Sequence, residues 1–273
     1  MTEISPNLKN DGLSRRALLA MAGSAVALAP FPALAVSNAW RRVDDILAVV
    51  GDAEPIAQGV VIDMPSLSEN GAVVPLQVGI DRPMAEGEHV TAIHVFAPAN
   101  PFPHIATFRF AEGIGLPRFE TRIRLNESQT VFVLAELNTG AVLIGEHEVR
   151  VTVSGCLTQA DTYAADSVLQ TRVRVDESVA MGTPLEVLTL VNHPQETGLR
   201  EDASGNLVPK RIIERLEARY DGDVAFVAEF QRSISSNPYL RFFIAPEQSG
   251  ALDLVWTEDT GAMVEFSTEI AVS

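Results

Sequence analysis

The residue best suited to covalent chemistry is Cys156, the single cysteine in a chain of 273 residues. It follows the segment 148–153, EVRVTV, in which valines alternate with polar residues as in a strand with one buried face. The alternation ends three residues before the thiol, so we expect the thiol to lie beyond the sheet. Ser154 and Gly155 come between, and a glycine gives the backbone freedom without bulk. A single cysteine excludes an internal disulfide and leaves three roles: an inert buried residue, an intermolecular bridge or a working thiol.

No other set of side chains has a pattern typical of catalysis. The five histidines are scattered without metal-ligand spacing: His89, His94, His104, His147 and His193. We interpret each of them as a strand or turn residue with a satisfied hydrogen bond; His94 falls in a predicted strand, and His193 precedes a proline at a predicted turn. The sequence has no nucleophile-elbow serine, glycine-rich phosphate loop, CxxC or HExxH motif. It therefore predicts no catalytic residue, no metal site and no cofactor, and it does not predict an enzyme.

The surroundings of Cys156 favour a working thiol. The polar stretch 157–168, LTQADTYAADSV, offers no core in which to bury it, and an exposed thiol in an oxidising compartment is a liability unless it is used. Without a neighbouring base or metal, such a thiol is poorly equipped as the nucleophile of an enzyme. It can still hold a substrate for partner enzymes through persulfide-like species, which form and break by thiolate attack.

Residues 1–35 have the features of an export signal. Arg15 and Arg16 precede a short apolar run that is too short and too rich in small residues for a stable membrane span. Ala33-Leu34-Ala35 has the small-x-small pattern that a signal peptidase cleaves. The weakly hydrophobic run favours the twin-arginine route over the alternative, an arginine pair before an ordinary Sec signal. We expect a periplasmic protein.

The charge of the chain limits its partners. The sequence contains 20 basic and 36 acidic residues. Loss of residues 1–35 removes three basic and two acidic residues, which leaves 17 and 34 and a net charge of −17. Such a surface repels nucleic acid and anionic lipid, and it can steer docking onto basic partner surfaces. We therefore expect protein partners, no nucleic acid and, after signal removal, no membrane.

The pattern of the remaining chain predicts β-strands almost throughout. One short helix is predicted over 40–50, where Trp40, Ile46 and Val50 recur at helical spacing and Gly51 follows as a stop. Short runs of branched and aromatic residues, separated by turn residues, predict strands at 73–80, 89–96, 107–110, 122–125, 131–137, 148–153, 170–175, 186–192, 212–220, 224–230, 240–244, 252–257 and 263–271. The segment 209–219, PKRIIERLEAR, also fits a helix, but Asp221-Gly222 is a hairpin signal and favours two strands.

These patterns predict an all-β fold with two immunoglobulin-like β-sandwich domains in tandem and one short N-terminal helix after the signal peptide. The predicted boundaries are a signal peptide at 1–35, a first sandwich at 36–156, a linker at 157–168 and a second sandwich at 169–273.

Several motifs resemble the two subunits of a known carrier. ENGAVVPLQVGID (69–81), NPFPHIATF (100–108), RIRLNESQTVFVLAEL (122–137) and EVRVTVSGC (148–156) follow the pattern of SoxY in order. HPQETGLREDASGNLVPKRII (193–213), SISSNPYLRFFI (233–244) and GALDLVWTEDTG (250–261) resemble its partner SoxZ. The two resemblances cover nearly all of the mature chain, which is similar to a natural SoxYZ fusion of the thiosulfate-oxidising Sox system.

The resemblance implies a non-enzymatic sulfur carrier. In that family a cysteine on a flexible C-terminal arm is conjugated to the sulfur substrate, and Cys156 aligns with it. A haem cytochrome complex attaches thiosulfate oxidatively, a manganese thiosulfate hydrolase releases sulfate, and a sulfur dehydrogenase or another acceptor processes the remaining sulfur. The haems and metals belong to those partners. The resemblance therefore implies Cys156 as the attachment site and Ser154 and Gly155 as residues that give the arm flexibility.

The arm departs from the family pattern. The family sequence is GGCGG at the end of the chain, whereas here Ser154 replaces the first glycine and Leu157 and Thr158 replace the last two. The chain also continues into the second half, so the thiol must enter a partner as a loop; twelve linker residues reach at most roughly 40 Å. We therefore predict partners with more open active sites.

Two alternatives stay open at this point. One is a SoxYZ-like carrier recruited to another periplasmic pathway, such as one built around a quinoprotein dehydrogenase. The other is a structural or adhesive pair of sandwich domains in which Cys156 forms a disulfide-linked homodimer.

Three further motifs have predicted positions. Asn237-Pro238-Tyr239 and Glu196-Thr197-Gly198 are interpreted either as contacts between the domains or as turn residues that set strand register. Phe102 and Pro103 are expected to flank the partner-facing end of the first domain.

Overall fold

Alternation of buried and exposed side chains builds the strands, as in Leu185–Val191, where buried and half-buried residues follow one another in turn. The computed structural model describes residues 36–155, the first half, and 167–273, the second half. The predicted export signal, Cys156 and most of the predicted linker lie outside the described residues. The strands of the first half are β1 Val60–Asp63, β2 Leu67–Ser68, β3 Val74–Ile80, β4 Val90–Phe96, β5 His104–Phe110, β6 Gly115–Ile123, β7 Gln129–Leu137 and β8 Val142–Val151.

The second half repeats this arrangement. Its strands are β9 Thr171–Val175, β10 Ser178–Val179, β11 Leu185–Val191, β12 Ile213–Tyr220, β13 Asp223–Phe230, β14 Tyr239–Ile244, β15 Gly250–Glu258 and β16 Met263–Val272. Each predicted strand overlaps a strand of the structure, although the predicted strand 122–125 reaches only the last two residues of β6, and the mostly β structure confirms the all-β fold class. The sequence analysis missed β1, β2 and β10, which have two to four residues and lie at sheet edges.

The strands form two sheets that run through both halves. One sheet has the order β1-β3-β6-β14-β11-β9, and the other has the order β10-β16-β15-β12-β13-β5-β4-β7-β8-β2. Each half contributes three strands to the first sheet and five to the second, so each half is itself a sandwich. Both strand orders read as palindromes when β1 to β8 are matched with β9 to β16. The halves are therefore related by an approximate two-fold axis.

The halves join through backbone pairing. β6 pairs with β14 and β5 pairs with β13, both antiparallel, so neither half has a free edge at the junction. Phenylalanines from both halves pack between these pairs: the Phe226 ring lies 4.4 Å from Phe242 and 6.3 Å from Phe108, and Phe108 lies 3.6 Å from Phe119, centroid to centroid. All four are fully buried, and one core cluster spans both halves. The described residues, 36–155 and 167–273, belong to one compact unit.

The predicted helix is confirmed. It consists of a 3₁₀ turn, Asn38–Arg42, followed by α1, Asp44–Val50. Gly51 has φ of +58° and donates its N–H to the Leu47 carbonyl at 2.9 Å, which ends the helix. The apolar stripe covers part of the outer face of the ten-stranded sheet, and this second cluster contains Trp40, Ile46, Val50, Phe96, Phe132, Leu134, Val142 and Ile144.

The contested segment forms strand, as predicted. β12 and β13 pair antiparallel around Asp221-Gly222, which have φ of +50° and +86°. Two positive φ values are the signature of a type I′ turn, whose twist matches that of the flanking strands. Leu216 and Ala218 face the core on this hairpin, which the helical reading would not allow.

Candidate functional site

Parts of the four SoxY-like motifs and of the SoxZ-like motif 233–244 meet at one end of the molecule. Three connections of the first half lie there: the β2–β3 connection (69–73), the β4–β5 connection (97–103) and the β6–β7 connection (124–128). The β13–β14 connection (231–238) of the second half bonds directly to them. The chain leaves the first half at this end, at 152–155. We call this end the exit face, defined by 69–73, 97–103, 124–128, 152–155 and 231–238.

Gly155 is held tightly at the exit face. Its N–H donates to the Leu125 carbonyl at 2.9 Å, the Leu125 N–H donates to the Gly71 carbonyl at 2.8 Å, and the Gly71 N–H donates to the Val153 carbonyl at 2.8 Å. A Cβ on Gly155 would overlap the main-chain carbonyl group of Gly71. A Cβ on Gly71 would lie 2.8 Å from the Val153 carbonyl oxygen. These residues form what we call the glycine clasp: Gly71, Leu125, Val153 and Gly155.

The Ser154 side chain is hydrogen-bonded beside the glycine clasp. Its hydroxyl donates to the Asn126 side-chain oxygen at 3.0 Å. The structure thus gives Gly155 a role that the sequence did not suggest, because the absence of a side chain permits a close approach to Gly71. The predicted flexibility of the arm at Ser154 and Gly155 stays a prediction. Cys156 lies outside the described residues, although its peptide bond attaches it to the clasp.

One asparagine joins three of the connections. The Asn100 side chain is almost fully buried. Its oxygen accepts from the Asn126 N–H at 2.8 Å and from the Gln129 side chain at 3.0 Å. Its nitrogen donates to the Arg124 carbonyl at 2.8 Å and to the Ser233 hydroxyl at 3.1 Å. All four hydrogen-bonding positions of the amide are therefore used.

Arginines also cross between the halves here. Arg124 donates from its N–H to the Ser233 carbonyl at 2.7 Å and from its guanidinium to the Pro194 carbonyl at 3.3 Å. Arg122 donates to the Asn237 carbonyl at 3.0 Å. The Arg232 guanidinium lies 4.2 Å from the centre of the Phe102 ring, a cation–π contact.

Two of the three positional predictions can be compared with these contacts. The segment Asn237-Pro238-Tyr239 contacts the first half, which fits the interface interpretation: besides the Arg122 contact, the Thr121 hydroxyl donates to the Tyr239 carbonyl at 2.8 Å. The hydrogen bonds found for Glu196-Thr197-Gly198 go to the second half, to Arg211 and Arg232 among others, which fits the turn interpretation.

Phe102 and Pro103 lie in the β4–β5 connection of the exit face. Phe102 is 37% exposed, and both residues line a surface pocket of about 460 Å³ beside α1, together with His104 and Gln231. Their contact with a partner stays a prediction.

A buried network supports the second half beneath the exit face. His193 accepts the Gln195 N–H at its Nδ1 atom at 3.1 Å, so its Nε2 atom carries the proton and donates to Glu258 at 2.9 Å. The same carboxylate accepts from Arg211 at 2.8 Å and from the Thr260 hydroxyl. This confirms His193 as a turn histidine with satisfied hydrogen bonds.

Burial sets the protonation state of this network. It lowers the pKa of His193, against the opposing hydrogen bond to Glu258, so the imidazole is held neutral. Burial alone would raise the pKa of Glu258, but the hydrogen bonds from Thr260, His193 and Arg211 bring it below its ordinary value. Glu258 is therefore charged, and its hydrogen bonds to the neutral His193 and to Arg211 hold the loop that follows β11 in place.

His94 lies in β4 and has a satisfied hydrogen bond, as predicted. His94 Nδ1 lies 2.9 Å from the Thr107 hydroxyl, while its Nε2 lies 3.5 Å from a Glu136 carboxylate oxygen without a hydrogen bond. One of its two nitrogens is thus satisfied. Within residues 36–155 and 167–273, the structure shows no group of three or more metal-ligating side chains. In the same residues, no helix is long and apolar enough to cross a membrane.

The fold and the exit face together define a class: a two-sheet, all-β protein whose single cysteine directly follows a buried backbone clasp. Residues 46–156 match the family model of sulfur oxidation protein SoxY, and residues 173–269 match that of sulphur oxidation protein SoxZ. The chain is a tandem fusion of a SoxY domain and a SoxZ domain, both immunoglobulin-like sandwiches. This confirms the resemblance and supports a carrier role in sulfur oxidation alongside other Sox proteins.

Solved structures show partial similarity. The sulfur carrier protein SoxY from Chlorobium limicola f thiosulfatophilum is 28% identical, with 41% of this chain and 98% of that chain covered and a TM-score of 0.34. A superoxide reductase (neelaredoxin) from Ignicoccus hospitalis is 15% identical, with coverage of 34% and 80% and a TM-score of 0.31. These TM-scores carry no inference about function. No curated protein matches this chain.

Proposed function

We propose that this protein is a periplasmic carrier that holds its sulfur substrate covalently on Cys156 while partner enzymes act on it. The observation that carries the proposal is the SoxY match, which ends at residue 156, the position of the only cysteine in the chain. A carrier needs one attachment atom and no catalytic machinery of its own. The chain offers one thiol, which fits that requirement.

The exit face supports this role by its rigidity. When a carrier docks on several enzymes in turn, the thiol must be attached at a fixed position on the carrier so that it reaches each active site. The glycine clasp fixes the residue before Cys156 to the body of the protein through backbone hydrogen bonds.

The proposed chemistry uses the thiolate of Cys156 and partners that supply the redox and hydrolytic steps. Thiosulfate and the thiolate form an S–S bond, giving the S-thiosulfonate, and the two electrons released pass to a haem cytochrome partner. Water then cleaves the bond between the sulfane sulfur and the sulfonate group on a manganese hydrolase, which releases sulfate and two protons and leaves a persulfide. A sulfur dehydrogenase partner then takes up the electrons as the outer sulfur is oxidised to a sulfonate with oxygen from water, and hydrolysis releases it as sulfate. Alternatively, a thiolate of another acceptor takes the outer sulfur and becomes a persulfide itself; both routes leave the Cys156 thiolate.

The acidic surface and the export signal complete the proposal. A net charge of −17 on the mature chain favours brief encounters with basic surfaces on several partners. Twin-arginine export would deliver a folded protein, which suits two halves that share both sheets. Cleavage after Ala35 leaves the described residues intact.

Intact mass spectrometry tests this function. Mature protein would be isolated from the periplasm of cells that are oxidising thiosulfate, with and without reductant, beside a Cys156→Ser control. We expect reducible mass increases of sulfur or thiosulfonate size that are absent from the control.

A free thiol, or only a disulfide-linked dimer, in those cells would overturn the carrier proposal. The dimer result would instead support the structural alternative. Adducts found only in cells that oxidise another substrate would keep covalent carrying and reject thiosulfate as the cargo.

A further inference from the structure

The Asn100 side chain uses all of its hydrogen-bonding positions at the exit face. It is 4% exposed, and its four hydrogen bonds reach Arg124, Asn126, Gln129 and Ser233. The orientation of the amide is fixed by its backbone partners, because the Asn126 N–H requires an oxygen and the Arg124 carbonyl requires a nitrogen. No other residue type offers both groups at this length.

Asn100 bonds to the residues on both sides of Leu125, which belongs to the glycine clasp. Arg124 and Asn126, which bond to Asn100, flank Leu125, whose carbonyl accepts the Gly155 N–H. The Asn126 side chain also accepts the Ser154 hydroxyl. Removal of Asn100 would therefore free the 124–126 backbone on both sides of the Leu125 carbonyl.

Ser233 links the second half to Asn100 and Arg124 of the first half. Its hydroxyl accepts from Asn100 at 3.1 Å, and its carbonyl accepts the Arg124 N–H at 2.7 Å. Ser233 is buried and follows β13, which pairs with β5 of the first half. A continuous path of buried contacts thus runs from the second half through Asn100 and the 124–126 connection to Gly155.

We infer that Asn100 and Ser233 are positioning residues that make the second half set the location of the segment carrying the thiol. Neither side chain reacts with sulfur. The SoxZ domain then fixes Ser154 and Gly155, the residues just before Cys156, in addition to any contact that it makes with partners. The functional meaning of this inference rests on the proposed function, whereas its structural content does not.

Native-state hydrogen exchange by NMR tests the inference on the full mature chain. Asn100→Ala should accelerate exchange of the Gly155 and Leu125 amides at least tenfold, because both donate within the clasp. Ser233→Ala removes only one bonding partner and should accelerate the same amides by a smaller factor. It also serves as the milder variant if Asn100→Ala folds poorly.

Asn138→Ala is the matched control. The Asn138 side chain bonds to the His89 N–H at 3.1 Å and the Gly87 carbonyl at 2.8 Å, at the opposite end of the first half. This variant should leave Gly155 exchange unchanged. The Leu216 amide, in a central strand, reports global unfolding in every variant.

Two results would overturn the inference. Gly155 exchange could stay unchanged in both Asn100→Ala and Ser233→Ala, or Gly155 and Leu216 could accelerate by the same factor, which would indicate a general loss of stability. Sulfur loading on Cys156 would be measured in parallel by mass. If the clasp loosens but no adduct ever forms in wild-type protein, the proposed function fails while the positioning role stands.

Discussion

The carbonyl group of Gly71 occupies the space that a side chain on Gly155 would need. The two glycines are 84 residues apart in the sequence, and the Leu125 backbone bonds to both of them. This close approach, rather than conformational freedom, explains why a glycine precedes Cys156.

Replacement of Gly155 by alanine should therefore destabilise the exit face. The added Cβ must displace the Gly71 backbone, and overpacking of this kind costs about 1–3 kcal/mol. We expect a lower midpoint of urea unfolding and reduced loading of sulfur on Cys156. Gly79→Ala is the control, since a Cβ there meets only an Arg118 side-chain atom at 3.9 Å. Equal stability of the two variants would contradict the role of the close approach.

The shared sheets predict that the two halves unfold together. Trp40 lies in the first half and Trp256 in the second, and both are buried. In Trp40→Phe and Trp256→Phe variants the remaining tryptophan reports on one half only. We expect its fluorescence transition to coincide with the far-UV circular dichroism transition of the same variant, because one core spans both halves. Separate transitions in either variant would show that the halves unfold independently.

The buried His193 predicts lower stability in acid. Because burial lowers its pKa in the folded state, the unfolded chain takes up a proton more readily, so the free energy of unfolding falls as the pH decreases below about 6.5. Protonation would also set an N–H on Nδ1 against the Gln195 N–H. Glu258 adds to this loss at lower pH, since its folded-state pKa is also lowered.

Urea unfolding at pH 7 and pH 5.5 measures this effect. His193→Gln can still donate to Glu258 but cannot titrate, so its free energy of unfolding should change less between the two pH values than that of the wild type. His94 and His104, whose pKa values burial also lowers, are present in both proteins. An equal change in both proteins would exclude His193 as a source of the pH dependence.

Cutting the chain after Thr158 tests the prediction of more open partner sites. The pairings β6–β14 and β5–β13 should keep the two pieces together, so the cut releases one tether of the thiol without separating the halves. We expect turnover by the hydrolase partner to rise when a free end can enter its site. Turnover that falls or stays flat, with docking intact, would reject the geometric idea.

The all-β class, the positions of most strands, the helix before Gly51 and the hairpin at Asp221-Gly222 could be predicted from the sequence, whereas β1, β2 and β10 could not. These features depend on the alternation of neighbouring side chains and on the φ values that particular residues tolerate, and both are readable within about ten residues. The lone cysteine and its flanking motifs likewise stood out from local sequence alone.

How these parts combine depends on contacts between distant segments, which are visible in the folded chain alone. Pairing of β5 with β13 and of β6 with β14 merges two sandwiches into one pair of sheets. The sequence does not show which edge strands will pair, because such pairing leaves no periodic pattern of residues. Asn100 and Ser233 belong to motifs that were recognised, yet their hydrogen bond spans 133 residues. Gly155 suggested freedom when read locally, and its close approach to Gly71 became visible only when distant segments were brought together, because backbone proximity is a property of the packed chain.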